Sequence, residues 1–205
     1  PELDIAVLED AIDTHDSAPY HPKVIIEGAG PTGLMLALTQ YAAGADVGII
    51  EARNTQYSRT QIVRLDPKWV ALLEFYLGSQ FAEYFEVEGA PGIKRPDGFV
   101  EIVIRDLETL LHNKMQELTS KAEENGSTGI ERIIEHKIRH TVRPSERDTT
   151  FSILAQSEGG RGDTFIRREF DILFAAGGAR SDTREKYLPS YSPVTQEAEY
   201  GVCSW

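Results

Sequence analysis

The chain has 205 residues, 40% of them hydrophobic, enough for one domain of ordinary size with its own core. Thirty-three acidic against 21 basic residues leave a net charge of -12, so a nucleic-acid partner is not expected, because such a surface repels phosphate. A single cysteine, Cys203, excludes an internal disulfide and a cysteine-rich metal site, and no apolar run approaches the roughly 20 residues of a membrane span. With no basic-then-apolar leader pattern, these features predict a protein of a reducing, cytoplasmic compartment with no membrane partner.

In chain order, Leu3, Ile5, Ala6, Leu8 and Ile12 predict an amphipathic helix over 2–14, inside an N-terminal extension over 1–21. The apolar strand 23–27 then runs into Gly28-Ala29-Gly30-Pro31-Thr32-Gly33, a helix follows over 31–44, and a second strand over 46–51 ends on Glu51. That order is what a dinucleotide site needs. Gly28 permits a tight turn, Gly30 lets the backbone approach a pyrophosphate, and Gly33 lets helix and strand pack. The free amides of the helix start and its dipole favour phosphate. Glu51 lies 23 residues after Gly28, where a carboxylate accepts from the adenosine ribose hydroxyls.

Residues 52–66 read as a polar connection, and Pro67 opens a helix ending near Gly78. A helical piece over 79–86 leads to a Gly/Pro-rich loop over 89–98. Leu107, Leu110, Leu111, Met115 and Leu118 trace a long helix from Arg105 to Asn125. Strands follow at 130–134, 137–143, 150–157 and 164–174. The whole predicts an α/β Rossmann-like fold: a parallel sheet with helices on both sides and an antiparallel insertion, over 22–193. Near its end, Phe170 to Ala176 is a buried strand running into Gly177-Gly178, then a turn and a helix with Ser181 and Arg184 near its start. This is a second close-approach turn facing a helix N-terminus.

These residues carry a resemblance. The Gly28 to Pro31 turn, Glu51-Ala52-Arg53, Tyr57-Ser58-Arg59, Ile102 to Leu107 and Phe170 to Gly178 occur in the same order in the FAD-binding half of flavoprotein monooxygenases of the para-hydroxybenzoate hydroxylase type. Within them the chain looks most like the MICAL monooxygenase domain, because Gly177-Gly178 stands where many hydroxylases have Asp-Gly. The resemblance implies FAD as cofactor, with NADPH reducing the flavin, O2 activation, and oxidation of a small-molecule or protein substrate. If the MICAL likeness extended to substrate, that would be a protein methionine. It further implies that Arg59 reaches the pyrophosphate, that Ala52 and Arg53 lie along the adenosine, and that Arg105 approaches the ribityl or pyrophosphate region. Gly177 and Gly178 would lie by the ribityl chain. No catalytic acid or base is implied. A substrate-binding sheet and a third FAD motif belong to that family beyond the last residues here, so the strand over 194–205 reads as the start of a truncated domain whose C-terminal half is missing.

Other readings remain open. Glu27, directly before Gly28, occupies a position that is usually apolar; Arg105 or Arg180 could pair with it. A non-catalytic module binding FAD or only its ADP half is therefore an alternative, and a nicotinamide-dependent Rossmann enzyme is a third, which leaves residues 170–184 unexplained. No metal site is expected: His136 and His140 lie too far apart along a strand to share one ion, and no third ligand is evident. Arg161-Gly162-Asp163 reads as an ordinary turn and Cys203 as packing. Trp69, Phe75, Tyr76, Phe81, Tyr84 and Phe85 read mostly as core of the helical segment, with one of them able to line a flavin pocket.

Overall fold

A computed structural model describes residues 2–54, 57–145, 149–158, 164–178 and 181–187. The strand expected over 194–205, Cys203 and the 161–163 tripeptide lie outside these residues. In chain order the elements are α1 (Glu2–Ser17), β1 (Lys23–Glu27), α2 (Pro31–Ala42), β2 (Asp46–Glu51), β3 (Ile62–Leu65), α3 (Pro67–Leu77), α4 (Ser79–Phe85), β4 (Ile93–Lys94) and β5 (Val100–Val103). They continue as α5 (Ile104–Glu124), β6 (Glu131–Ile134), β7 (His136–Val142), β8 (Phe151–Ser157), β9 (Phe165–Phe170), β10 (Ile172–Ala175) and α6 (Asp182–Tyr187).

The central sheet has the order β10-β1-β2-β6, every neighbouring pair parallel. Alternation along β1 and β2 assigns their side chains to two cores. Val24, Ile26, Val47 and Ile49 face a large core with α1, α2 and α5, into which Leu8, Ala11 and Ile12 of α1 also pack. Ile25 and Ile50 face the opposite way, against Ile138, Ile153 and Ala155 of the antiparallel sheet β7-β8-β9. The layers are therefore helices, parallel sheet, antiparallel sheet. A small sheet, β3-β5-β4, lies ahead of α5.

The local reasons are conventional. Asp66 caps α3 by accepting from the Lys68 and Trp69 amides at 2.9 and 3.3 Å, with Pro67 in the first helical position. In α5, Leu107, Leu111, Met115, Leu118 and Ala122 recur every three or four residues and are all buried. Gly126, at φ 79°, follows the helix where it ends.

The structure corrects three expectations. Residues 62–65 are a strand rather than open connection, because β5, about 40 residues on, supplies its partner in register from Ile62↔Val103 to Leu65↔Val100. The loop over 89–98 contributes β4 to the same sheet. The expected strand over 164–174 is two: β9 ends the antiparallel sheet and β10 enters the parallel one. Asp171 makes the corner, its amide donating to the Lys23 carbonyl at 2.8 Å and its carboxylate accepting from the Lys23 amide at 2.8 Å. Among the aromatics, Phe81 and Phe85 are core as expected, whereas Trp69 and Phe75 are exposed.

Truncating Leu111, which is buried at the centre of the α5 stripe, removes contacts from the main core. Leu111→Ala is expected to cost about 2–5 kcal/mol of unfolding free energy, read by denaturant titration.

Candidate functional site

Three chain segments end together at the carboxyl edge of the parallel sheet. After β1 the backbone turns at Gly28, φ +96°, its amide donating to the Ile50 carbonyl at 2.8 Å. A Cβ on Gly28 would come within 2.7 Å of the Ala176 carbonyl oxygen, and one on Gly33 within 1.9 Å of the Gly28 carbonyl oxygen. These two glycines are therefore required by contact and not only by turn type. Gly30 precedes α2 without a side-chain cap, Pro31 opens the helix, and no acidic residue occupies the first turn. The helix start is thus left to an external acceptor, the condition for anion binding.

Around this turn lies a cavity of about 740 Å³. Its walls include Gly28, Gly30, Pro31, Thr32, Glu51, Ala52, Arg53, Arg59, Gly177 and Gly178, so ten of the sequence-derived positions converge. Gly33 lies beneath the turn as packing. Arg105 does not line the cavity; its guanidinium donates from Nε to Asp106 Oδ1 at 3.0 Å. What sequence reasoning missed is the opposite wall: His136, Lys137 and Ile138 from β7 and Glu158 after β8. Only the packing of the antiparallel sheet on the parallel one brings them there.

Arg59 approaches the glycine turn, its Nη2 lying 3.5 Å from where a Gly30 Cβ would be. It is held by an ion pair with Glu108 of α5, which is wholly buried. Arg53 Nη2 is 3.8 Å from the same carboxylate. Two guanidinium groups, each paired with a buried carboxylate, lie beside an uncapped helix start, and their remaining N–H donors suit a diphosphate.

Two buried carboxylates end β1 and β2, and their surroundings push them in opposite directions. Glu51 accepts from the Ala29 amide at 2.7 Å, the Arg53 amide at 2.8 Å, and Arg53 Nε and Nη2 at 3.1 and 3.0 Å. Burial pushes its carboxyl up, but the hydrogen bonds from Arg53 and Ala29 outweigh this and hold it below the usual carboxylate range. All four acceptor positions of the carboxylate are filled. Glu27 lies under the second glycine turn and pairs with neither Arg105 nor, among the described residues, another cation. The Ser181 hydroxyl donates to its Oε2, and Ser181 in turn accepts from the Arg184 amide at 3.0 Å. Here burial outweighs the hydroxyl hydrogen bonds of Ser181 and Thr183, and the carboxyl is raised.

Substitution at these positions separates the two effects. Glu51, lowered in the folded chain, contributes stability above its unfolded value near 4.5 that is lost as pH falls through the lower folded value. Glu51→Gln is therefore expected to destabilise at pH 7 by about 1–3 kcal/mol, the difference shrinking towards pH 3. Glu27 is raised, so its ionisation costs stability as pH rises from 4.5 through the folded value. Glu27→Gln is expected to gain on the order of 1 kcal/mol at pH 7 and nothing at pH 4. Urea titrations of both variants across pH 3–8 check the two signs.

A family model described as FAD binding domain matches residues 21–79, the stretch that carries the glycine turn, Glu51, Arg53 and Arg59. No curated protein matches the sequence. Among solved structures, OxyS anhydrotetracycline hydroxylase from Streptomyces rimosus superposes with a TM-score of 0.61 at 20% identity, over 81% of this chain and 33% of that one. The flavin-dependent monooxygenase PieE, solved with FAD and substrate, gives 0.58 at 16% identity, over 83% and 32%. Aklavinone-11 hydroxylase, solved with FAD and aklavinone, gives 0.58 at 16% identity, over 82% and 35%. The chain thus spans about a third of the length of each of these proteins. Its layered parallel and antiparallel sheets are the fold of the FAD-binding part of such monooxygenases.

Proposed function

We propose that this chain is the FAD-binding portion of an FAD-dependent monooxygenase that takes electrons from NADPH. The observation that carries the reading is the convergence of two glycine turns, an uncapped helix start and Arg59 on one cavity of about 740 Å³. In it the amides of α2 and the Arg59 guanidinium hold the pyrophosphate, Glu51 serves the adenosine ribose, and Gly177 and Gly178 leave room for the ribityl chain. Bound FAD supplies the electron transfer and oxygen activation. The chain's own residues bind, orient and neutralise charge; Glu108 fixes Arg59 from behind. Because the Arg53 guanidinium fills two of the acceptor positions of Glu51 and backbone amides the other two, a ribose hydroxyl would need that guanidinium to turn away. The Gly177-Gly178 turn favours the MICAL-like branch of the class, and the substrate is a small molecule or a protein side chain met by the part of the protein these residues do not include.

One observation favours a second reading, a non-catalytic module that binds FAD or its ADP half: the Glu51 carboxylate is already saturated from within the chain. The two readings part on reduction. After incubation with excess FAD and desalting, the chain is expected to keep absorbance near ~370 and ~450 nm, and NADPH to bleach it in the protein that carries the remaining domains. Retained colour without bleaching there supports the binding module. A colourless chain that also gains no thermal stability from millimolar FAD overturns both. Arg59→Ala is expected to weaken FAD binding about tenfold or more, the size of a lost charge-assisted contact, as read by fluorescence titration.

A further inference from the structure

We propose that His15, His21 and Asp46 form a zinc-binding site at the end of the parallel sheet opposite the FAD cavity, clamping α1 onto the fold. One ligand atom from each residue lies within 4.8 Å of the others. They come from three separate places: the last turn of α1, the segment entering β1, and the first residue of β2. Nothing in the linear spacing of positions 15, 21 and 46 resembles a metal motif; the docking of α1 on the sheet brings them together.

The spacing of the cluster fits an ion. His15 Nε2 lies 3.3 Å from Asp46 Oδ1, and His15 Nδ1 lies 3.3 Å from Asp16 Oδ1. Two ligands at about 2.0–2.1 Å from a tetrahedral Zn2+ are separated by about 3.3–3.4 Å, which is the His15–Asp46 separation.

The surroundings offer each ring an acceptor behind Nδ1. His15 turns Nδ1 to the Asp16 carboxylate, and His21 turns Nδ1 to the Gly44 carbonyl at 3.1 Å. Each Nδ1–H then has an acceptor, and each Nε2 keeps its lone pair for a metal. Carboxylate or carbonyl partners behind the ligating histidines are the usual support of zinc sites. His15 is also held in place: it is 4% exposed and stacks on Tyr41 at 4.5 Å with 4° between the rings. The Tyr41 hydroxyl donates to the Thr128 carbonyl at 2.9 Å, fixing that ring in turn. His21 and Asp46 are only partly buried, so the fourth coordination position faces solvent. Two imidazole nitrogens and one carboxylate oxygen select Zn2+ over Mg2+ or Ca2+, which take oxygen ligands.

The proposal is independent of the flavin reading. The ligands stand where β1 and β2 begin, whereas Gly28 and Glu51 stand where these strands end, roughly 15–20 Å away for strands of this length. The test uses the full chain in a Cys203→Ser background, stripped with chelator and titrated with Zn2+ by calorimetry. One equivalent is expected to bind, with no response to Mg2+. His21→Ala and the near-isosteric Asp46→Asn are each expected to weaken binding at least tenfold, while the His136→Ala/His140→Ala double variant leaves it unchanged. Circular dichroism confirms that each variant is folded, and Asp46→Asn decides alone if His21→Ala is not. Failure to bind at 100 µM Zn2+, or affinity changed less than tenfold in the folded variants, overturns the site. FAD retention is expected to be the same with and without zinc.

Discussion

The structure depends on how closely three backbones approach at one point. Gly28 must pass between the Ala176 carbonyl of the β10 turn and the first turn of α2, and Gly33 must lie against the Gly28 carbonyl. A single methyl group at either position would push β1 away from β10 or α2 away from β1. Because β1 is an inner strand of the parallel sheet, with β10 on one side and β2 on the other, its misplacement would spread to both cores. The same closeness leaves the amides of the α2 start exposed to a ligand in place of side-chain caps. Close packing and an uncapped helix start are thus consequences of one constraint.

Around that point, charge is arranged by partner and not by residue type. Glu27 and Glu51 are the same side chain at the ends of adjacent parallel strands, and both are nearly buried. Glu51 meets a guanidinium and two backbone amides; Glu27 meets hydroxyls. A fixed cation and N–H donors stabilise the ionised form enough to overcome desolvation, whereas hydroxyls alone do not. Glu108 plays a third part: wholly buried, it sets Arg59 over the glycine turn. An acidic chain thereby sets guanidinium groups beside the uncapped start of α2.

The antiparallel sheet is a structural partner as well as an insertion. Ile138, Ile153 and Ala155 cover the face of the parallel sheet that α1, α2 and α5 do not. The β7 strand that supplies Ile138 also supplies His136 and Lys137 to the cavity wall. The second core and the far side of the site therefore rise or fall together, which links the stability of the arm to the shape of the cleft.

Local pattern alone specified β1, α2, β2 and α5, because each combines a strong apolar period with a terminating glycine or charged residue. That the glycine turn, Glu51, Arg53 and Arg59 converge on one cavity was legible for a similar reason: close approach of backbones restricts the residue types at short range. Other features had no short-range signature. The strand at Ile62–Leu65 exists because β5 pairs with it, and the break at Asp171 exists because Lys23 anchors the corner. Ser181 reaches Glu27 across 154 residues, and His15, His21 and Asp46 meet only once α1 docks. The sequence by itself determined the α/β class and the glycine turn, since those follow from backbone sterics and periodicity. The tertiary structure decided which strands pair, which of them wall the cavity and which charges are neighbours, since these depend on contacts between residues far apart in the chain.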